Sequence, residues 1–314
     1  MNENKAIEER IITIIKGHKS QVNDIFTDKN FMYSGSKDGF IKVWDKKKWD
    51  EKHSISVGRW WINSIVVDSQ HVFIGSSDAV VNVFDKKNLK AVANLKHSIF
   101  STINSISIDK THVFVALNDR TIRIWNREKW EEEHKLKHNG IVQSLFSDTK
   151  NLYVALSNGT ANIWDKKSLS LDYKLQHSSF RTLHSIASDK SYIFTATSKE
   201  IKVWDKKTKD LVVELDCGKG IQSISIDADY VFIGSSDKFI RIWDKNSWNE
   251  IQRLKSTSKI TSLCVDDLYV YSGDSKGFIT VWKHPLYDKK MKQKEKKTTK
   301  KSPTKKKVKK KEEA

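Results

Sequence analysis

Ile41-Lys42-Val43-Trp44-Asp45 is a short alternation of apolar and polar residues closed by a bulky aromatic, and it returns as Ile240-Arg241-Ile242-Trp243-Asp244. The closing aromatic recurs as Trp44, Phe84, Trp125, Trp164, Trp204, Trp243 and Trp282, at spacings of 40, 41, 39, 40, 39 and 39 residues. Alternation with a period of two marks a strand with two unlike faces. A repeat near 40 residues long cannot bury its own apolar face, so neighbouring repeats must stack, and closing the stack into a ring removes the exposed ends.

Upstream of the aromatic, each repeat opens on an apolar-polar-Ser run such as Ile62-Asn63-Ser64-Ile65 or Ile221-Gln222-Ser223-Ile224. An Asp follows in every repeat (Asp28, Asp68, Asp109, Asp148, Asp189, Asp227, Asp266). It reads as a turn former, because its carboxylate accepts a backbone N–H two residues on. A second apolar run ends in small residues, as in Val72-Phe73-Ile74-Gly75. The third run carries the aromatic, and a Lys-rich turn leads to a fourth, such as Trp248 to Leu254. Four short antiparallel strands per repeat make one propeller blade. The expected fold is therefore all-β, a seven-bladed β-propeller of four-stranded blades. Trp49, Trp130 and Trp248, where Leu89 and Leu169 stand in other repeats, read as packing residues of the outer strand.

Roughly from residue 11 to 283, the chain resembles the WD-repeat β-propeller family (Trp-Asp, WD40-type). Gly17-His18 matches that family's Gly-His, Ser34-Gly35-Ser36-Lys37-Asp38-Gly39 its strand-turn segment, and Trp44-Asp45 its closing dipeptide. The resemblance implies that the first strand of the chain completes the last sheet. Ile11, Ile12, Ile14 and Ile15 supply such a strand, and nothing strand-like follows Trp282-Lys283. It also implies a hydrogen-bonded structural tetrad inside a blade, which by position is His18, Ser34, Asp38 and Trp44 in the first repeat. Other repeats keep fragments of it: His97, Asp119 and Trp125, His138 and Trp164, His177 and Trp204, and Asp237 and Trp243, while Trp282 is the structural aromatic that closes the last repeat. Asn126 and Lys283 replace the Asp after Trp, and Asn158, Ser198 and Lys276 stand where the turn Asp is expected.

Composition divides the chain into an N-terminal extension (1–10), the propeller (11–284) and a tail (285–314). Of the net charge of +18, residues 284 to 314 supply 14 Lys against Asp288, Glu295, Glu312 and Glu313, a net of +10. The tail has almost no apolar residue to offset the entropy of ordering, so it is expected to be a disordered basic tail. Neither a signal peptide nor an apolar run of spanning length is visible, which predicts a soluble, cytoplasmic protein, or a nuclear one if the source is eukaryotic. Ser302 to Lys311 resembles a basic nuclear import signal. The two cysteines, Cys217 and Cys264, lie in different repeats without disulfide or metal spacing. No cofactor is implied. A closed ring has no edge that requires a second subunit, so a monomer is expected.

Two surfaces are candidates for function. Loops entering the first strands carry Arg59, Trp60, Trp61, Phe100, Phe180, Arg181, Lys219 and Lys259, and aromatic and Arg side chains are what protein interfaces enrich. Adjacent residues of an extended segment point to opposite sides, so one of Trp60 and Trp61 should be exposed. On the opposite face, turns carry Lys46, Lys47, Lys86, Lys87, Arg127, Lys166, Lys167, Lys206, Lys207 and Lys245. The tail emerges beside them. Its Lys289, Lys290, Lys292, Lys305, Lys306, Lys307, Lys309, Lys310 and Lys311 suit a polyanion, without the arginines and aromatics that read bases. His53, His71, His112, His134, His184 and His284 show no ligand spacing.

No phosphate-cradling glycine loop, nucleophile elbow or His-Glu-x-x-His occurs, so no catalytic residues are assigned. The leading reading is a non-catalytic scaffold mediating protein-protein interactions in a multiprotein complex. The alternative is a nucleic-acid-associated or ribonucleoprotein factor anchored by its tail.

Overall fold

The computed structural model describes residues 9–97, 101–218 and 220–299. Strands β1 (Ile11–Lys16) to β28 (Phe278–Lys283) form seven four-stranded antiparallel sheets. Six sheets are consecutive meanders, the first being β2 (Val22–Thr27), β3 (Phe31–Ser36), β4 (Phe40–Asp45) and β5 (Glu51–Ser56). The seventh has the order β1-β28-β27-β26, so the N-terminal strand is its outermost member and the ring closes on itself. Innermost strand β2 contacts both β6 (Ile62–Val67) and β26 (Ile260–Val265).

The core lies between blades. Ile41 and Val43 of blade one pack with Ile62, Ile65 and Ile74 of blade two, and the second strand of each blade is buried almost throughout, as at Val72, Phe73 and Ile74. Close approach explains the small residues that end this strand. A Cβ on Gly35 would come 2.5 Å from Cγ2 of Ile62 in the next blade. Outer strands instead bury one leucine each, Leu95, Leu136, Leu175, Leu215 and Leu254 in blades two to six.

Around the channel a second set of bonds links the blades. A bulge in the innermost strand re-aims one side chain, as between Val22 and Asp24. There Asn23, Asn63 and Asn104 donate to the carbonyls of Ile62, Ile103 and Val142, at 2.8, 2.9 and 2.8 Å, and Thr261 donates to Val22 O at 2.5 Å. One residue on, Ser64, Ser105 and Ser223 each accept a backbone N–H of the following blade. Blade one has Asp24 in that place, accepting Ile65 N–H at 2.7 Å.

The turn tryptophans differ from expectation. Trp49, Trp130 and Trp248 adopt φ of 61°, 57° and 54°, a left-handed conformation costing about 1–2 kcal/mol for a residue with a Cβ. It turns each ring away from its own outer strand and onto the preceding blade. Trp49 meets Tyr269, Trp130 meets His71 and Trp248 meets Tyr192, with centroids 5.3, 5.5 and 5.3 Å apart. They are wedges between blades, and the burial of their rings offsets the backbone strain.

Past the ring, helix α1 (Tyr287–Thr299) occupies a stretch that the composition predicted to be disordered. Lys, Met, Gln and Glu lose little side-chain freedom in a helix, and Asp288 sits in the positive first turn. The helix is also anchored at its start. Tyr287 packs on Tyr269 at 5.7 Å and Lys290 Nζ lies 3.5 Å from Asp267. Lys305, Lys306, Lys307, Lys309, Lys310 and Lys311 lie outside the described residues, as do Phe100 and Lys219.

Candidate functional site: the two faces of the ring

Blade one contains a serine, a histidine and an aspartate in hydrogen-bonded series. His18 Nε2 is 2.7 Å from Ser34 Oγ and His18 Nδ1 is 3.1 Å from Asp38 Oδ2. Trp44 donates its indole N–H to the same Ser34 oxygen at 2.9 Å. Ser34 and His18 are buried, and the hydroxyl is already engaged by the indole. Burial holds the His18 imidazole below its ordinary range despite the neighbouring Asp38. Nothing can approach the oxygen, so the arrangement ties β3 and β4 to the segment after β1 rather than activating a nucleophile.

Other blades keep parts of the network, according to the residue opposite the indole. Thr195 and Ser272 accept the N–H of Trp204 and Trp282, each at 2.9 Å. Where Val115, Val154 and Ile233 stand instead, Trp125, Trp164 and Trp243 leave a buried N–H without a partner. In blade five Glu200, not Ser198, supplies the acid, 3.4 Å from His177 Nε2.

The lower face carries the turn after each innermost strand and the turn after each closing aromatic. Every turn Asp accepts two backbone N–H groups with one oxygen, as Asp28 does from Asn30 and Phe31, both at 2.8 Å. Its second oxygen takes a basic side chain from the next blade. Lys86 reaches Asp28 at 2.8 Å, Arg127 reaches Asp68, Lys166 reaches Asp109 at 2.8 Å, Lys206 reaches Asp148 at 2.9 Å and Lys245 reaches Asp189 at 2.6 Å. His284 reaches Asp227 at 2.7 Å, and Lys46 closes the circle on Asp266 at 2.5 Å. Seven blades are thus joined by seven pairs. Partial burial pushes carboxyls such as Asp28, Asp189 and Asp266 up, and the cation and backbone donors outweigh it, holding them below their usual value.

This divides the cationic ring read from the sequence. Lys46, Lys86, Arg127, Lys166, Lys206 and Lys245 are tied into the fold, since each head group reaches a carboxylate of the preceding blade. Lys47, Lys87, Lys167 and Lys207 are exposed on the same turns, as are Lys289 and Lys292 of α1. His284, which showed no ligand spacing, is fully buried and fills the position that holds Lys or Arg in the other six blades. The repeat register carried that signal: His284 follows Trp282 by two residues, as Lys46 follows Trp44.

The upper face carries the chain between blades. Trp60 and Trp61 are 42% and 50% exposed, and Phe180 is 97% exposed. Both indoles are accompanied by cations: Arg59 lies 5.4 Å from the centre of Trp60, and Lys37 Nζ 4.6 Å from that of Trp61. Trp61 and Lys37 also line a hollow of about 390 Å3 with the channel residues Asn23, Asn63 and Asn104. Arg59 and Lys259 are exposed, and Arg181 is half-buried 3.5 Å from Glu200. Trp60 and Trp61 in blade two and Phe180 in blade five are separate stations on this face.

Residues 9–45, 90–126 and 211–244 match the WD40 family, described as WD domain, G-beta repeat. Each later match begins in the outer strand of one blade and ends in the third strand of the next, the same offset that lets β1 complete blade seven. The chain belongs to the WD40-repeat family and is a seven-bladed β-propeller. A stretch of 52 residues, 16% of the chain, is 44% identical to the DDB1- and CUL4-associated factor 11 homolog of Caenorhabditis briggsae, and 42% identical to that of Caenorhabditis elegans. The match spans 9% of the length of each relative. Among the described residues no helix is long and apolar enough to cross a membrane.

Proposed function

We propose that the protein is a non-catalytic adaptor that holds protein partners on the upper face of its propeller. The observation carrying this reading is the exposure of Trp60, Trp61 and Phe180 beside Arg59 and Lys37. Large rigid aromatics left in water on an otherwise well-packed ring are what a protein interface covers. Lys259 and Arg181 extend the proposed contact. The relatives' name supports an assembly of the DDB1- and CUL4-associated kind as the complex to test first. Tagged full-length protein and the Trp60→Ala/Trp61→Ala double variant would each be tested for capture of purified DDB1. The reading requires capture by the parent and its loss in a variant that keeps its thermal transition; equal capture by both rejects the patch.

A second reading, association with a polyanion, is favoured by α1, which presents exposed Lys289 and Lys292 beyond the ring. It predicts binding to generic duplex DNA whose logarithm falls with salt at about 0.9 per phosphate contacted. A slope unchanged by removal of residues 286–314 would sink it.

A further inference from the structure

The channel bonds do not run the whole way round the ring. From blade seven through blade three, the side chain at the bulge of the innermost strand ties its blade to the next: Thr261 to Val22 O, Asn23 to Ile62 O, Asn63 to Ile103 O and Asn104 to Val142 O. Gln143, His184 and Gln222 hold that place in blades four, five and six, each one residue before a serine paired with the second strand. None of them crosses to the following blade. The side chains of Gln143 and His184 have no hydrogen-bond partner among the described residues, and Gln222 reaches only Gly220 O of its own loop, at 3.4 Å.

The adjoining serine ties lapse over part of the same arc. Ser105 and Ser223 each accept a backbone N–H of the following blade at 3.1 Å, whereas Ser144 and Ser185 accept none among the described residues. The cause lies in how the chain enters blade five. Thr182 donates its hydroxyl to Ser157 O at 3.1 Å and Leu183 its N–H to Leu156 O at 3.2 Å, both back in blade four. Strand β18 (Ser185–Ser188) therefore starts late, with four residues where the other six innermost strands have six. Lysine pairs still hold this blade at the lower face, where Lys206 meets Asp148 and Lys245 meets Asp189. Its upper inner edge is left open.

All three side chains can be reached from outside. Gln143 lines the hollow of about 390 Å3 that also holds Trp61 and Lys37, and His184 and Gln222 are exposed. The channel wall around His184 desolvates the ring and lowers its pKa although its edge meets water, so at neutral pH it carries one N–H donor and no charge. Phe180, on the loop that leads to His184, is 97% exposed.

We propose that this arc of the upper channel mouth binds an extended, uncharged segment of a partner protein, with Gln143, His184 and Gln222 donating to its backbone carbonyls and Phe180 meeting an apolar side chain. It rests on the reading that the upper face holds protein partners, and fixes where a chain lies there and what it presents. At the four tied junctions the same register position donates to a peptide carbonyl of the ring. Here the ring offers none, and a guest strand can. An amide side chain both donates and accepts, as a peptide group does. A phosphate or carboxylate would meet three uncharged side chains, and a wholly apolar surface would strip their water without replacing its hydrogen bonds.

Full-length protein would be panned at neutral pH against a random dodecapeptide library displayed on phage, and the enriched peptides, synthesised with blocked ends, titrated by fluorescence anisotropy. Peptides with an uncharged centre are expected. Gln143→Ala/His184→Ala should weaken them about tenfold, as the loss of two neutral hydrogen bonds implies, while Asn63→Ala, whose donor is already engaged by Ile103 O, should bind within about twofold of the parent. No enrichment, equal binding by the double variant, or acidic peptides lost on Lys37→Met overturns the proposal. An equal loss in Asn63→Ala also overturns it, by spreading the site over the whole mouth. Peptides lost on Trp60→Ala/Trp61→Ala but kept by Gln143→Ala/His184→Ala would reject this arc and leave the aromatic patch standing. Conversely, failure to capture DDB1 leaves the peptide result intact. If the double variant loses its thermal transition, Gln143→Ala and Gln222→Ala decide singly, each expected to weaken binding about threefold and unchanged affinity counting against the site.

Discussion

On the lower face the ring uses charged and aromatic side chains to hold blades together; on the upper face the same residue types are left in water. Trp49, Trp130 and Trp248 are wedged against the preceding blade, and the cations of their turns are matched to its carboxylates. Trp60 and Trp61 have cations over their rings but remain about half exposed. Residue type alone does not distinguish packed from exposed positions in this protein. What distinguishes them is whether a neighbouring blade supplies the partner.

That contrast can be broken most severely at ring closure. Trp282 is fully buried in the blade completed by the N-terminal strand, and its indole donates to Ser272. Trp282→Ala should cost about 3–5 kcal/mol, seen as a large fall in the denaturation midpoint. A loss below 1 kcal/mol, on the order of an ordinary surface change, would mean that blade seven contributes little to the closed ring.

Next in size is the lower-face circuit. Lys245→Met leaves Asp189 partly buried without its cation and should cost about 1–3 kcal/mol, whereas Lys207→Met on a neighbouring turn should be nearly silent. Equal effects would show that the pairs are ordinary surface ion pairs. Because these carboxyls are held below their ordinary value of 3.8, their contribution is present above that pH and is lost as the pH falls through the lower folded values. Acid unfolding monitored by circular dichroism should therefore set in below about pH 4.

Asp24 tests the channel in the opposite sense. Burial raises its carboxyl to about 7, against the pull of the Ile65 and Ile25 N–H groups. The folded state thus holds this proton more tightly than the unfolded chain, and the residue's destabilising effect grows as pH rises from about 4 to 7. Asp24→Ser, which copies the residue of the other six blades, should raise the thermal midpoint at pH 8 and do so progressively less toward pH 4. A pH-independent difference would contradict the assignment.

The smallest stability change is expected on the upper face, where Trp60→Ala/Trp61→Ala should stay within about 0.5 kcal/mol of the parent while partner capture disappears. A large loss of stability would reclassify both rings as wedges like Trp49.

Much of this architecture was legible from the chain. The period of the closing aromatic, the alternating strands and the spare strand Ile11 to Lys16 sufficed for seven blades and their closure, because each reflects local pattern and stacking need. Trp60 and Trp61 were legible as a candidate surface, since alternation turns one of two adjacent residues outward, although the structure exposes both. Less visible was what spans blades. Asp28 reads as a turn former, and its second role as a receptor for Lys86 depends on two residues 58 positions apart. Helix α1 was missed because composition near a chain end weighs poorly against a docking contact such as Tyr287 on Tyr269.

The sequence by itself determined the unit, its number and its ring, since periodicity is written along the chain and stacking follows from the apolar face that each unit cannot cover. Only the tertiary structure decided which lysines are bound and which are free, and which tryptophans are wedges and which face water. Those distinctions depend on distances between blades, and residues of identical type acquire different roles from the neighbour they meet.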